Sequence, residues 1–257
     1  NSLLQEKQRT IELIHSEKKL KKSLLKEIEL GELKSSFVST ASHQFRTPLA
    51  VIQSNTELLE MLNRTDDKQE VGRYEKITNR ITEAIKKMTE LMNEVLVLGK
   101  LTSGSIQYKP VHLDLKVLTE QLTKDFNGIQ KDGRVLEVKF IGDPYPLYVD
   151  PKLLFNALYN LLSNAFKYSQ GEKNPELNIH FKPTKVVLSV TDYGIGIPNE
   201  QRIHLFEPFF RADNVLNIKG TGLGLSIAKE YIESNKGTIS FKSTEGEGSC
   251  FEITFKT

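Results

Sequence analysis

The sequence predicts a multidomain chain, all-α in its first part and α+β in its second. Three patterns predict it. Ile77, Ile81, Ile85, Met88, Leu91, Val95 and Leu98 fall three or four apart, a single apolar stripe along one long helix. The composition then turns at Gly99, where Leu101-Thr102-Ser103-Gly104-Ser105 and Pro110 read as a linker. Beyond it, helical segments alternate with short period-two runs such as Val135-Leu136-Glu137-Val138-Lys139-Phe140, the pattern of a mixed sheet with helices on one face.

Residues 1–36 are rich in Glu, Lys and Leu. Leu4, Ile11, Ile14, Leu25 and Ile28 fit heptad a and d positions, while Leu13, Leu20 and Leu24 are offset, so a coiled signalling helix with a drifting seam is expected, with a solvated single helix as the plainer alternative. Residues 37–98 hold two amphipathic helices, Phe37 to Leu62 and Val71 to Leu98, joined by the polar turn Asn63-Arg64-Thr65-Asp66-Asp67-Lys68. One helical hairpin cannot cover both apolar stripes. Two can, so residues 37–98 are expected to be a dimerisation domain that forms a four-helix bundle in a homodimer.

After the linker 99–111, residues 112–257 read as an α/β sandwich. Leu113 to Phe126 is helical and Leu147-Tyr148-Val149 a short strand. Asp150-Pro151 starts a helix, Asp as N-cap and Pro at the first helical position, that runs to about Phe166. Leu177 to Phe181 and Val186 to Thr191 form a hairpin, Gly222 to Ser234 a helix, and Thr238 to Ser243 with Ser249 to Phe255 a final hairpin.

Composition bounds the function. The chain has 257 residues, 35 Lys+Arg against 33 Asp+Glu and a net charge of +2, which disfavours nucleic-acid binding through a bulk positive field. Its single cysteine, Cys250, excludes an internal disulfide and a cysteine-rich zinc site, and is expected as a small core residue of the last strand. No apolar run approaches the roughly 20 residues that span a bilayer. The chain begins Asn-Ser without signal peptide, so it is expected to be an excised piece whose membrane link, if it has one, lies upstream.

Chemistry concentrates in five segments. Ser42-His43-Gln44-Phe45-Arg46-Thr47-Pro48-Leu49 puts a polar run into a bundle helix, Pro48 removes an intrahelical bond and is expected to bend the helix, and Thr47 lies at i+4 from His43. An imidazole on an outer helix face suits a phosphoryl acceptor. Asn156, Asn160 and Asn164 are four apart with Lys167 three further on, one polar stripe opposite Leu154, Phe155, Leu158, Leu161 and Leu162. Carboxamide oxygens ligate hard cations and a lysine meets phosphate. Asp192-Tyr193-Gly194-Ile195-Gly196-Ile197-Pro198 follows a strand and offers a carboxylate among glycines. Phe206-Glu207-Pro208-Phe209-Phe210-Arg211 reads as a lid with aromatic anchors. Gly220-Thr221-Gly222-Leu223-Gly224-Leu225 opens a helix and forms an anion site, without the context of a Rossmann or Walker loop.

Taken in order, these segments resemble the H, N, G1, F and G2 boxes of bacterial sensor histidine kinases, and the flanking elements extend the resemblance from about Phe37 to the C-terminus. The resemblance implies an ATP-binding domain of the type shared with gyrase, Hsp90 and MutL. It implies that His43 accepts the γ-phosphoryl group of ATP and passes it to an aspartate of a response regulator receiver domain. It implies further that Asn164 coordinates Mg²⁺, Asn160 and Lys167 hold phosphates, Tyr168 lines the adenine pocket and Asp192 accepts the adenine amino group. Gly194, Gly196 and Ile197 shape that pocket, and Arg211 faces the γ-phosphate. Gly220, Thr221, Gly222, Leu223, Gly224 and Leu225 wrap the phosphates, and Thr47 aligns a water for the reverse, phosphatase reaction. Asn156 lies outside the matched motif and takes no role. Regulator contacts are expected around Phe45, Leu49 and Ile52, and the chain is expected to be the cytoplasmic portion of a membrane-bound sensor.

The departure is Gln44, where the family carries Glu or Asp. A glutamine oxygen can fix the imidazole tautomer but cannot take a full proton. Autophosphorylation is therefore expected to persist but to be slower than with Glu. Two alternatives stay open from the residues: a degenerate kinase that binds ATP and acts as phosphatase or scaffold, and a mechanical ATPase of the gyrase/Hsp90 type, which lacks an H box.

Overall fold

The computed structural model describes residues 38–62, 71–103 and 107–256 apart from 129, 131, 216 and 219, with isolated helical positions at 17, 18, 20, 21 and 24. The coiled helix expected over 1–36 and the turn at 63–68 thus lie outside the described residues, those five positions excepted. The chain divides into two compact units, 1–84 and 85–257.

Helix α1 covers 38–62 and α2 runs Val71–Thr102. Both bury a seven-residue seam. On α1 it is Ala41, Pro48 and Asn55; on α2 it is Ile77, Ala84, Leu91 and Leu98. The small residues at 41 and 84 let a neighbouring backbone approach, the logic of heptad packing. Ile85, expected within the buried stripe, is instead half exposed, with Met92 and Leu96 on the same flank. Residues 99–102, expected as linker, are helical: the helix passes through Gly99 because Leu98 and Leu101, three apart, are both buried. Burying Leu101 offsets the ~1 kcal/mol that a helical glycine costs relative to alanine.

The rest of the chain builds a two-stranded sheet, a five-stranded sheet and three helices. Strand β1 (Val111–Leu113) was not expected and pairs antiparallel with β3 (Leu147–Val149). Helix α3 (Leu115–Phe126) starts at Asp114, whose carboxylate accepts from the Lys116 N–H, two residues after the expected start. Strand β2 (Glu137–Ile141) also starts late. The N–H groups of Val135 and Leu136 donate to the side chains of Asn174 and Asn127, so only from Glu137 onward is the backbone free for a ladder.

Helix α4 (Pro151–Tyr168) is capped by Asp150, as expected, at 3.0 and 3.2 Å from the N–H groups of Lys152 and Leu153. Strands β4 (Glu176–Lys182) and β5 (Lys185–Asp192) form the expected hairpin, helix α5 is Gly224–Ser234, and β6 (Thr238–Thr244) and β7 (Gly248–Lys256) close the chain. The large sheet runs β2-β4-β5-β7-β6, parallel only between β2 and β4. Its register aligns the buried apolar residues in rows: Leu177, Val190 and Phe251; Ile179, Leu188 and Ile253; Phe181, Val186 and Phe255. These rows are one face of the sheet, and Leu154, Leu158, Leu161 and Leu162 of α4 with Ile227 and Ile232 of α5 complete the core. Cys250, adjacent to Phe251, therefore points to the other face and is half exposed, not a core residue.

Candidate functional site

The segment 42–49 is helical throughout, Pro48 included. Pro48 has no N–H for the carbonyl of Gln44, and its ring is accommodated on the buried seam. His43 is exposed, Gln44 and Phe45 half-buried. The Thr47 hydroxyl donates to the His43 backbone carbonyl at 3.3 Å, so in this arrangement it is spent on the helix.

The other predicted residues lie in the second unit. On α4, Asn156, Asn160, Asn164 and Lys167 are all half-exposed, while Leu154, Leu158, Leu161 and Leu162 are buried, so the polar stripe is real. Asn156 lies within reach of the Tyr231 hydroxyl of α5. The ammonium of Lys167 donates to the Tyr168 hydroxyl at 3.2 Å and lies so close to Gly220 that a Cβ there would be 2.5 Å away.

Asp192 ends β5 in a cradle of backbone. It is buried, it accepts the N–H groups of Gly194 and Ser249, and burial pushes its carboxyl up to about 6. Among the described residues no cation contributes to its titration. Three glycines form the walls. A Cβ on Gly194 would stand 2.1 Å from the Tyr168 carbonyl oxygen, on Gly196 2.0 Å from that of Thr244, and on Gly248 2.1 Å from that of Asp192 itself. Ile197 is buried, its N–H held by the Ser243 hydroxyl at 2.9 Å. Tyr168 is tied to this loop through its carbonyl, which accepts from Ile195.

The segment expected to be a lid contains two short 3-10 turns, Asn199–His204 and Asp213–Val215, which no sequence pattern announces. Phe209 is buried with φ +65, a left-handed conformation costly for a bulky residue, and Phe206 packs edge-on against Phe241 of β6. These are the expected aromatic anchors. Arg211 donates to the carbonyl of Val215 at 2.5 Å and to that of Ile218, so its guanidinium is engaged in shaping the lid.

The glycine loop meets this lid. A Cβ on Gly222, at φ +79, would be 2.6 Å from the Phe209 backbone. The helix that follows opens at Gly224, not Gly222, with Leu223 as N-cap and no side-chain cap. The hydroxyl of Thr221 accepts from the Leu223 N–H, Leu223 is fully buried and Leu225 half-exposed. First-turn N–H groups without a capping side chain at the positive end of a helix dipole are what an anion needs.

The residues thus fit a purine nucleotide: a buried, unneutralised carboxylate for an amino donor at one end, and Lys167 with an uncapped helix for phosphates at the other. Mg²⁺ fits in a limited sense. Among the described residues no three His, Cys, Asp or Glu side chains gather, so no all-protein cage exists. The Asn164 amide stands at the first turn of α5, 3.9 Å from where a Cβ on Gly224 would lie, and one amide oxygen suffices for a metal held mainly by phosphates.

Two residues escaped the sequence reading. Arg134 is buried and caps the end of α4, its guanidinium donating at 2.7 Å to the carbonyls of Phe166 and Ser169 and to the Ser169 hydroxyl. Glu94, on α2, is carried to the side of the glycine loop, where burial pushes its carboxyl up. Neither carries a local sequence signal, since their partners are 32 to 35 residues away or further.

The model of the His Kinase A (phospho-acceptor) domain matches residues 33–104, and that of the histidine kinase-, DNA gyrase B- and HSP90-like ATPases matches residues 149–257. The chain is similar to the adaptive-response sensory kinase SasA of Gloeothece citriformis, 30% identical over 240 residues, 92% of this chain and 60% of that protein. It is similar to sensor protein kinase WalK of Staphylococcus aureus, 32% identical over 225 residues, 85% of this chain and 52% of that protein. The chain therefore spans less than two thirds of these relatives' length. A solved structure of the histidine kinase ThkA in complex with the response regulator protein TrrA shares the fold, with a TM-score of 0.65 and 21% identity over 89% of this chain and 63% of that chain.

Proposed function

The chain belongs to the sensor histidine kinases, with both the phosphoacceptor and the ATPase domain, and from that membership we propose that it phosphorylates His43 from ATP and hands the phosphoryl group to a receiver-domain aspartate. The observation that carries this reading is Asp192: a buried carboxylate, without a cation beside it among the described residues and walled by glycines, answers an exocyclic amino group of a purine. Its position at a strand end fixes the base, and the phosphates then extend toward Lys167 and the α5 N-terminus.

The reaction is an in-line displacement. A ring nitrogen of His43 attacks the terminal phosphorus, the bond to the bridging oxygen breaks, and ADP leaves. His43 is exposed, as an acceptor must be, and the Gln44 oxygen can hold the Nδ1–H so that Nε2 presents its lone pair. Lys167 and the α5 amides offset the phosphate charge. Asn164, and with it Asn160, would hold Mg²⁺ and phosphates, the metal supplying charge neutralisation to the donor.

The His Kinase A match supports dimerisation, and the exposed Leu49, Val51 and Leu58 of α1 give a second copy apolar side chains to cover. The ThkA–TrrA complex supports a regulator as the next acceptor. ATP as donor places this portion on the cytosolic side of a sensor, and among the described residues no helix is long and apolar enough to cross a membrane. A phosphatase role for Thr47 requires its hydroxyl to leave the His43 carbonyl.

The test is label transfer from γ-labelled ATP. The expected product is an acid-labile, alkali-stable phosphate, absent from His43→Ala and from Asp192→Asn. Label retained by His43→Ala would overturn the assignment. ATP bound and no label in the wild type would favour the degenerate-kinase reading.

A further inference from the structure

Arg134 lies just ahead of β2 and outside all five motifs, yet its guanidinium is buried against the C-terminal end of α4. Every nitrogen of the fork is used. Nη1 donates to the carbonyl and to the hydroxyl of Ser169 and Nη2 to the carbonyl of Phe166, each at 2.7 Å. Nε donates to the Asp132 carboxylate at 2.6 Å. The guanidinium also lies over the Phe166 ring, 5.4 Å from its centre. A lysine has a single nitrogen and cannot meet acceptors spread in this way.

Ending a helix does not require such a device. The last carbonyls are ordinarily satisfied by water or by a left-handed glycine, whereas burying a guanidinium forfeits its hydration. α4 ends instead at Ser169, with φ −117. The gain is local. The two carbonyls that Arg134 holds flank Lys167 and Tyr168, residues assigned above to the nucleotide, and the inference rests on that assignment. The Tyr168 carbonyl, between them, accepts the Ile195 N–H at 3.3 Å, in the loop that follows Asp192. That loop is packed on the same carbonyl so closely that a Cβ on Gly194 would stand 2.1 Å from its oxygen. The Lys167 ammonium, 3.2 Å from the Tyr168 hydroxyl, lies beside Gly220, where the glycine loop begins. A rotation of the last turn of α4 would therefore displace Lys167, Tyr168 and the purine loop together.

We propose that Arg134 is a positioning residue for nucleotide binding. It touches no ligand. By fixing the carbonyls of Phe166 and Ser169 it sets the last turn of α4, and through Lys167 and the Tyr168 carbonyl it holds the phosphate end and the purine loop in one geometry before nucleotide arrives. Affinity is thereby raised through pre-organisation, with no contact of its own.

The test uses the full chain with ADP and Mg²⁺ as the probe. Affinity is read by titration calorimetry at a temperature where melting curves show each variant folded. Arg134→Lys keeps the charge and loses the fork. Val186→Ala, fully buried at the end of β5 remote from Asp192, is the control for lost stability alone. Arg134→Lys is expected to bind ADP at least ~5-fold more weakly, and Val186→Ala to stay within ~2-fold of wild type. Wild-type affinity in Arg134→Lys, or an equal loss in Val186→Ala, overturns the proposal. Asp132→Ala releases Nε from a surface residue and replaces Arg134→Lys should that variant not fold: ADP binding weaker than in Val186→Ala is expected, and binding equal to it overturns the proposal. Amide exchange gives a local reading. The Ile195 N–H should exchange faster in Arg134→Lys than in Val186→Ala, and equal rates also overturn it. Lys167→Met and Asp192→Asn separate the two levels. If they weaken ADP while Arg134→Lys does not, the role of Arg134 is purely structural and the proposal fails alone; if they bind ADP as wild type does, the nucleotide site falls and the proposal with it.

Discussion

Replacing Asp192 with asparagine separates what this carboxyl costs the fold from what it contributes to the site. Burial raises its pKa from 3.8 to about 6, against the two backbone N–H groups that favour the charged form. A shift of about 2 units means that holding the ionised group at neutral pH costs the folded chain about 3 kcal/mol relative to the neutral one. The folded state binds the proton more tightly than the unfolded state. Its stability therefore rises as pH falls through 6 and is fully gained below 3.8.

Between pH 7 and pH 5 this group alone should add about 1.3 kcal/mol, or roughly 3–5 °C in melting temperature for a domain of this size. Asp192→Asn should lose that increment. At pH 7 the variant drops the cost of the buried charge but loses an acceptor, because its amide nitrogen cannot take the second N–H, a penalty of about 1–3 kcal/mol. The net is a variant between equal in stability and about 2 kcal/mol more stable, yet unable to bind nucleotide. Thermal melts of both proteins at pH 5 and pH 7 decide it, since other titrating groups, Glu94 among them, cancel in the difference. Equal pH dependence, or an asparagine variant clearly less stable at pH 7, would refute the reasoning.

Three further predictions test other parts of the molecule. Gln44→Glu should raise the initial rate of phosphohistidine formation at neutral pH, by supplying a base for the imidazole proton; no acceleration in a radiolabel time course would count against the role of residue 44. Arg134→Met strips the donors from two α4 carbonyls and the Ser169 hydroxyl and strands Asp132, so it should cost about 3 kcal/mol in a urea titration. Arg134→Lys should recover part of that cost. Gly248→Ala puts a Cβ 2.1 Å from the Asp192 carbonyl oxygen at φ +117, whereas Gly171→Ala at φ +83 meets open space. The second should cost about 1 kcal/mol and the first several times more, read as the shift in denaturation midpoint.

The sequence is legible where pattern and chemistry act locally. Asp150-Pro151 states a helix start in two residues, and the alternation in β4, β5 and β7 leads to a buried face that the register then aligns. It is less legible where tertiary partners decide. Val135 and Leu136 have strand character, but the carboxamides of Asn127 and Asn174 take their N–H groups. The helical stripe was read from large side chains, so the seam residue Ala84 was missed and the exposed Ile85 was included. Cys250 was assigned to the core by composition, while its parity with Phe251 puts it on the opposite face. Within the candidate site, four of the five motifs supply the residues proposed to hold nucleotide, and the fifth supplies His43. Nothing near Glu94 or Arg134 in the chain announces what they touch.

Arg134 also explains how α4 can present a precise polar stripe without a ligand to hold it. The helix is clamped at both ends by buried side chains. At its start, Asp150 caps Lys152 and Leu153 and accepts from the Lys109 N–H at 2.8 Å, while its backbone N–H donates to, and its carbonyl accepts from, the side-chain carboxamide of Asn235 just past α5. At its end, Arg134 binds the carbonyls of Phe166 and Ser169, and the Tyr168 carbonyl between them takes the Ile195 N–H. Asn160, Asn164 and Lys167 are thus set by contacts on the core side, which leaves their polar faces half-exposed. The clamp at Asp150 also pins Lys109, two residues before β1, to the same helix.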